Sequence, residues 1–398
     1  MTTTTQVEIR LKRPFAEQQQ ILDDPTRFKV LAIGRRWGKT ETLKNDMVDG
    51  LLTGQAMWFC SPTNKNNKRV YPQMKALFRK IPAVYTNDTD MLIRFPTGGF
   101  LQFVSLHEAD NLRGDGLDRI YVDEAAFIKN GVWDTVLRPM IVTTRGGATF
   151  SSSPNGTGND FHRLFLRGLD PNEHDWTTYH LPSSSSPLVP NDELEDIRGN
   201  TPERVYQQEY MAAFLDDGGA VFRNLTACIR PAPTNPKHVV FGVDWGRSND
   251  FTVIVALDAE TGHMVAMDRF NQIDWTMQRN RLMAMYERLK PRTIIAEANS
   301  IGGPNIEELK KRGLPVRGFT TTQQSKAEII NSLALNLEQE TIGILDNPEL
   351  LGELQAYTIE SLPSGNYRYN APAGLHDDCV IALALANKAR LIPRKIFI

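Results

Sequence analysis

An apolar run that breaks into glycine and then into Gly-Lys-Thr, KVLAIGRRWGKTETL at residues 29–43, constrains this chain more than any other stretch. Lys29 to Ile33 reads as a strand, and Leu43, Met47, Leu51 and Leu52 recur at helical intervals after it. A strand must therefore turn sharply into a helix, with Gly38, Lys39 and Thr40 at the turn. Such a turn suits a triphosphate, because backbone N–H groups and a helix N-terminus face the phosphates, a lysine meets the β and γ oxygens, and a hydroxyl meets Mg²⁺. In the strict pattern the first glycine would stand at Ile33, whereas Gly34 comes one residue later. Gly-Lys-Thr is short enough to arise by chance, so a second motif has to decide.

That motif is Ile120-Tyr121-Val122-Asp123-Glu124, an apolar strand ending in two acids. Asp123 is expected to hold Mg²⁺ and Glu124 to polarise the attacking water. Buried strands rarely end in paired carboxylates without a counter-ion; the alternative is an acidic turn opening a helix at Ala125. Further strands are expected at Ala56 to Cys60, Leu117 to Val122 and Ala148 to Ser152, with a hairpin over Met91 to Leu106 turning at Pro96-Thr97-Gly98-Gly99. Together these predict an α/β fold with a mostly parallel sheet, an N-terminal P-loop ATPase of the ASCE type. Phe15 and Gln18 could clasp an adenine, or belong to an ordinary amphipathic helix. Arg113 and Arg145 are candidate arginine fingers, since a planar fork matches phosphate oxygens. The turn Ser151 to Gly156 is placed to sense the γ-phosphate, with a plain loop as its rival.

A second set of carboxylates lies beyond a change in composition. LPSSSSPLVP at 181–190 and a charged helical pattern from Asp192 to Phe214 read as a small lid or linker subdomain, closed by Asp216-Asp217-Gly218-Gly219 and the proline-spaced RPAPTNPK. The expected domains are 1–180, 181–229 and 230–398. In the last, strand-like runs at Val239 to Trp245, Thr252 to Leu257 and Met264 to Arg269 precede a helix, Asp274 to Lys290, a strand, Thr293 to Ala298, and three more helical segments ending with Leu375 to Ala389. Asp244 and Glu297 end strands, and Asp377 and Asp378 open the final helix. An RNase H-like fold converges acids from those positions on two divalent metals, which activate water and stabilise the leaving oxygen in phosphodiester cleavage. Asp250 is an outer ligand or a turn residue, His376 could tune a metal-bound water, and Lys326 could touch a substrate phosphate.

Bulk properties set the limits. A chain of 398 residues is too long for one ordinary core. With 41% hydrophobic and 23% charged residues, it has no apolar run of membrane-spanning length, and its first residues lack the pattern of a targeting peptide, which predicts a cytoplasmic protein. Cys60, Cys228 and Cys379 lie far apart and read as reduced, mostly buried thiols. A net charge of −2 leaves any nucleic-acid contact to local patches: Arg10, Lys12 and Arg13; Lys65, Lys68 and Arg69; or Lys310, Lys311 and Arg312.

An ATPase joined by a lid to an RNase H-like nuclease resembles the large terminase subunit of tailed double-stranded DNA phages. The resemblance runs over nearly the whole chain: Gln18, GRRWGKT, IYVDEAA, the Ser-Pro-Asn-Gly loop, the serine-proline lid, VDWGRSNDFT, IIAEAN and LHDDCVIALALA. It implies ATP held by Gln18, Gly34, Arg35, Arg36, Gly38, Lys39, Thr40 and Asp123, with Thr40 and Asp123 on Mg²⁺. It implies a trans-acting finger at Arg113, and Mg²⁺ or Mn²⁺ on Asp244, Glu297, Asp377 and Asp378. The implied activity is ATP-driven translocation of double-stranded DNA through the portal into a procapsid, with the nuclease cutting the concatemer at initiation and completion. Implied partners are the portal protein, the small terminase subunit and further copies of the chain, in a pentameric ring when docked or as a monomer in isolation. The implied location is the host cytoplasm and, transiently, the portal vertex. The rival is an ATP-dependent repair or recombination nuclease, or a helicase, without a capsid partner.

Overall fold

The computed structural model describes residues 8–107, 109, 112, 116–216, 220–246, 250–299, 302–361, 367–371 and 376–393. The chain folds as two compact units: one comprises the residues up to Gly199 with Arg204–Asp216, the other Asn200–Glu203, Asp217–Leu362 and the residues from Tyr367 onward.

The first unit is built on eight strands: β1 (Phe28–Ile33), β2 (Ala56–Ser61), β3 (Tyr85–Asn87), β4 (Leu92–Arg94), β5 (Phe100–Ser105), β6 (Arg119–Asp123), β7 (Gly147–Ser152) and β8 (Trp176–Leu181). Their order is β3-β4-β5-β2-β6-β7-β1-β8. The run from β5 to β8 is parallel, and β3 and β4 add an antiparallel edge. Every residue of β1 and β7 is buried, as expected where a parallel sheet is covered on both faces. Helices α1 (Ala16–Asp23), α2 (Lys39–Leu52) and α3 (Asn64–Leu77) contribute to one core of this unit. There Ile21, Leu43, Met47, Val70 and Met74 pack with Leu31, Phe59 and Phe103. A second core gathers Phe28, Trp133, Phe150 and Trp176, with Phe161 and Leu164, around the short α4 (Arg138–Met140) and α5 (Asp160–Arg167). Helices α6 (Asn191–Gly199) and α7 (Glu203–Glu209) follow.

β7 lies between β1 and β6, so the strands ending in Gly-Lys-Thr and in Asp-Glu point their carboxyl ends to one edge of the sheet, where α/β proteins bind ligands. β8 was not expected as a strand. Only its Trp176 is buried, and a polar edge strand shows no apolar run. α3 was not foreseen either: its opening NKNNKR is polar, and its buried face begins with Asn67 and Val70.

The second unit contains β9 (Val239–Asp244), β10 (Thr252–Asp258), β11 (Met264–Phe270), β12 (Thr293–Glu297) and β13 (Val316–Phe319), in the order β11-β10-β9-β12-β13. β10 runs antiparallel to both β9 and β11, and β12 runs parallel to β9 and β13. Its helices are α8 (Leu225–Cys228), α9 (Trp275–Leu289), α10 (Gly302–Lys311), α11 (Gln323–Glu338), α12 (Pro348–Ala356) and α13 (Asp378–Arg390). A hairpin of β14 (Thr358–Ser361) and β15 (Tyr367–Asn370) stands between α12 and α13. Four helices, β13 and this hairpin thus occupy the stretch in which three helical segments were expected, because short half-exposed strands such as VRGF leave little periodic signal. α13 is buried almost all round. It lies so close on β9 that a Cβ at Gly242 would meet the Ala382 carbonyl at 2.1 Å, which explains the glycine in an otherwise apolar strand.

Cys60, Cys228 and Cys379 are buried and free. Among the described residues no helix is long and apolar enough to cross a membrane.

Candidate functional site

The sheet edge at Gly-Lys-Thr opens into a cleft of about 840 Å³. Gly38 precedes α2 with φ 110°, a conformation that glycine adopts without strain. Lys39 and Thr40 form the first turn of α2 and line the cleft. The Lys39 ammonium donates to the carbonyls of Ile33 at 2.9 Å and Gly34 at 3.1 Å and to Ser153 Oγ at 3.2 Å. Burial lowers its pKa, while Glu124 and Asp123 pull the other way. Arg35 and Arg36 also line the cleft. Gln18 is buried; it donates to the Gly38 carbonyl at 3.3 Å and accepts from the Phe15 N–H at 3.3 Å. It thus braces the loop, and Phe15 stands edge-on to Trp37 at 4.8 Å.

The acids at the end of β6 differ from one another. Asp123 is 1% exposed. Burial first, and Glu124 second, push its carboxyl up to about 7, against the pull of Lys39 and Arg69. Its Oδ2 and the Ser151 Oγ, from the paired position on β7, are buried without a hydrogen-bond partner. A buried carboxylate oxygen left without a donor fits a cation. Glu124 lines the cleft from a left-handed backbone, φ 54°, and accepts from Ser152 Oγ at 3.5 Å. Non-glycine residues held there are strained, and such strain gathers at functional sites.

The loop before Gly-Lys-Thr is fastened from far along the chain. Ser183 Oγ donates to the Arg35 carbonyl at 2.7 Å, Ser186 Oγ to the Trp37 carbonyl at 3.0 Å, and the fully buried Trp37 donates its indole N–H to Ser185 Oγ at 2.8 Å. Arg35 forks onto Glu209 at 2.6 and 3.0 Å. A Cβ at Gly34 would meet Ser183 Oγ at 2.4 Å and the Tyr210 carbonyl at 2.5 Å. The late glycine is therefore required by the close approach of the serine segment, and the position before it is Ile33, a core residue of β1.

In the second unit a cavity of about 260 Å³ is lined by Asp244, Asp250, Glu297, Asp377 and Asp378, with Lys326, His376 and Thr321. β9 and β12 are neighbours, so Asp244 and Glu297 end adjacent strands, and α13 brings the aspartate pair beside them. Burial and then the Glu297 carboxylate raise the Asp244 pKa well above its usual range. Burial raises Asp378 to about 6, although its Oδ2 accepts the Phe251 N–H at 3.0 Å. Asp377 accepts from Lys326 Nζ at 2.9 Å. His376 lies with Nδ1 3.5 Å from Asp378 Oδ2 and its ring edge-on to Phe251. Among the described residues no three acidic, His or Cys side chains stand close enough to share an ion as they are placed. Here Asp377 turns to Lys326 and Asp378 to a backbone amide. The donor set, all oxygen and strongly acidic, fits Mg²⁺ or a similar hard ion.

Arg113 lies outside the described residues. Arg145 is exposed in the turn before β7, at the opposite end of that strand from Ser152, and does not line the Gly-Lys-Thr cleft. Lys12, Lys65 and Arg69, read as members of two basic patches, line the Gly-Lys-Thr cleft. Lys310, Lys311 and Arg312 close α10, where Arg312 pairs with Glu308 at 3.1 Å. The serines, Trp37 and Glu209 carried no local signal: their partners lie more than a hundred residues away, and four serines in a row read as linker.

Comparison with known proteins gives two family models along the chain. Residues 30–226 match the N-terminal domain of the terminase large subunit, T4likevirus type, and residues 241–388 match the terminase RNaseH-like domain. The terminase large subunit of Thermus virus P23-45 is 26% identical, over 94% of this chain and 87% of its own length. The crystal structure of a large terminase from a thermophilic bacteriophage superposes with a TM-score of 0.59 at 16% identity, covering 94% of this chain and 99% of that one. The complex of that phage's large terminase with ATP-gamma-S gives 0.57 at 16% identity, covering 96% and 100%.

Proposed function

Because this chain belongs to the terminase large-subunit family of phage DNA packaging, with an ATPase domain and an RNase H-like nuclease domain, we propose that it couples ATP hydrolysis to translocation of double-stranded DNA through a portal and cuts that DNA at a separate metal centre. Residues 1–180 act as the ATPase domain, 181–229 as its lid and 230–398 as the nuclease. The observation that carries the reading is the pair of clefts in separate units of one chain, one rich in cations and the other in carboxylates.

In the first cleft, Lys39 exchanges its contacts with the loop carbonyls for the β and γ oxygens of ATP. Thr40 and Asp123 would hold Mg²⁺, and Gly34, Arg35, Arg36 and Gly38 shape the phosphate cradle. Bound Mg²⁺ neutralises charge on the phosphates. Glu124 orients and deprotonates the water, Gln18 contacts the base after releasing Gly38, and Arg113 is supplied by a neighbouring subunit. In the second cavity, Asp244, Glu297, Asp377 and Asp378 would hold Mg²⁺ or Mn²⁺. Metal there supplies an activated water and charge for the leaving oxygen. Lys326 would bind a DNA phosphate. Working partners are double-stranded DNA, the portal of a procapsid, a small terminase subunit and further copies of the chain in a ring, in the host cytoplasm at the portal vertex.

The test is ATP turnover with procapsids that carry portal, together with a small subunit, compared with forked and branched DNA, alongside Mg²⁺-dependent nicking of plasmid. Stimulation by procapsids is expected; stimulation by forks alone would favour a repair enzyme. Mixing Arg113→Ala with Lys39→Ala protein should restore part of the turnover, and no recovery in a demonstrated ring would remove the trans finger.

A further inference from the structure

The first turn of α13 is capped from outside the cavity. An aspartate at the N-cap ordinarily accepts a backbone N–H from the next turn, yet Asp377 makes no such bond and accepts Lys326 instead. Asp378 is engaged by the Phe251 N–H. The Cys379 amide, which has no partner within the helix, donates to Glu353 Oε2 at 2.7 Å. Glu353 projects from α12 and is 9% exposed. Its Oε1 lies 3.6 Å from the Arg269 guanidinium of β11, and that guanidinium sits over the Phe251 ring, 3.3 Å from its centroid. Phe251 closes the circuit, since its own N–H holds Asp378. A buried carboxylate is an expensive cap, and Asp377 stands where it could cap at lower cost. Its use is intelligible if both aspartates are reserved for something else.

We propose that Glu353, tethered by Arg269, is a positioning residue of the nuclease centre: it takes over the cap of α13 so that Asp377 and Asp378 keep their oxygens available to a divalent cation. The proposal rests on the nuclease reading given above. It is tested by calorimetric binding of Mn²⁺ to the full chain without DNA or nucleotide, in wild type, Glu353→Gln and Glu353→Ala, with plasmid nicking and ATP turnover measured on the same preparations. Glu353→Ala should bind Mn²⁺ about tenfold more weakly, as loss of a supporting contact does, and nick more slowly with unchanged KM for DNA. Glu353→Gln, which still accepts the Cys379 amide, should stay within about threefold of wild type. ATP turnover should hold in all three. Wild-type affinity in Glu353→Ala, or a loss in Glu353→Gln as large as in Glu353→Ala, would overturn the capping role. Should Glu353→Ala lose the fold of its unit, Glu353→Asp, one methylene shorter, draws the carboxylate back from the Cys379 amide; an unchanged Mn²⁺ affinity there also overturns the capping role. Absence of Mn²⁺ binding by wild type would instead sink the nuclease reading itself.

Discussion

On the function proposed here, the two clefts would meet the same pairing of polyanion and divalent cation with opposite charge. Six cationic side chains and three acidic ones line the nucleotide cleft, whereas five carboxylates, one lysine and one histidine line the nuclease cavity. ATP carries its Mg²⁺ with it, so a cleft for the complex can be cationic and needs only one buried acid, Asp123, at the strand end. DNA brings no fixed metal. A site that cuts it must first collect cations, and the cost of crowding carboxylates falls on the protein until they arrive.

The sharpest way to break this contrast is to disable each centre separately. Lys39→Ala or Glu124→Gln should reduce ATP turnover by about 10³-fold or more and leave metal-dependent nicking within about twofold. Asp244→Asn should do the reverse. Loss of both activities by either change in a folded protein would mean that the centres are not independent.

Metal and pH sharpen it next. The Asp378 carboxyl titrates near 6 in the folded chain against an ordinary 3.8, so between those values the folded state binds more protons than the unfolded one. Stability then falls as pH rises from about 4 to 6, and the deficit persists above it. In metal-free protein at pH 8, Asp378→Asn should therefore be more stable than wild type by about 1–2 kcal/mol, or roughly 2–8 °C in the nuclease unit's Tm, with the difference vanishing near pH 4. Saturating Mn²⁺ should reverse the order, because only wild type gains the full binding energy. Differential scanning calorimetry across pH with and without Mn²⁺ reads both effects.

A smaller effect tests the fastening of the phosphate loop. Ser185→Ala leaves the buried Trp37 N–H without its acceptor and should raise KM for ATP about fivefold, from a loss of ~1 kcal/mol, with nicking unchanged. The smallest is expected at Arg145, exposed and remote from the cleft of its own chain: Arg145→Ala should change ATP turnover of the isolated protein by less than about twofold.

The placement of the acids and of Gly-Lys-Thr at element ends was legible because each ends or follows an apolar run, and a period of two or of 3.6 locates the end of a strand or the start of a helix. Asp244, Glu297 and the Asp377–Asp378 pair could be read that way, and so could Asp123 and Glu124. What could not be read is whatever depends on two distant polar segments meeting. Ser185 holds an indole 148 residues upstream, Glu353 caps a helix 26 residues downstream, and Lys65 and Arg69 enter the nucleotide cleft only because α3 turns that face to it. β8, β13 and the β14–β15 hairpin escaped for a related reason. Their side chains are half polar, and their pairing is decided by the strand beside them.

The fastening of the phosphate loop also bears on how the protein is made. A nascent chain that has left the ribosome as far as β7 already holds Gly-Lys-Thr, but it lacks β8, which pairs along β1, and the serines and Glu209 that hold Gly34, Arg35 and Trp37 in place. At 5–20 residues per second, roughly 10–30 s separate synthesis of the lysine from synthesis of its last supporting residue. The newborn chain therefore has no fully fastened Gly-Lys-Thr loop until its first unit has been completed, and chain order alone sets that delay.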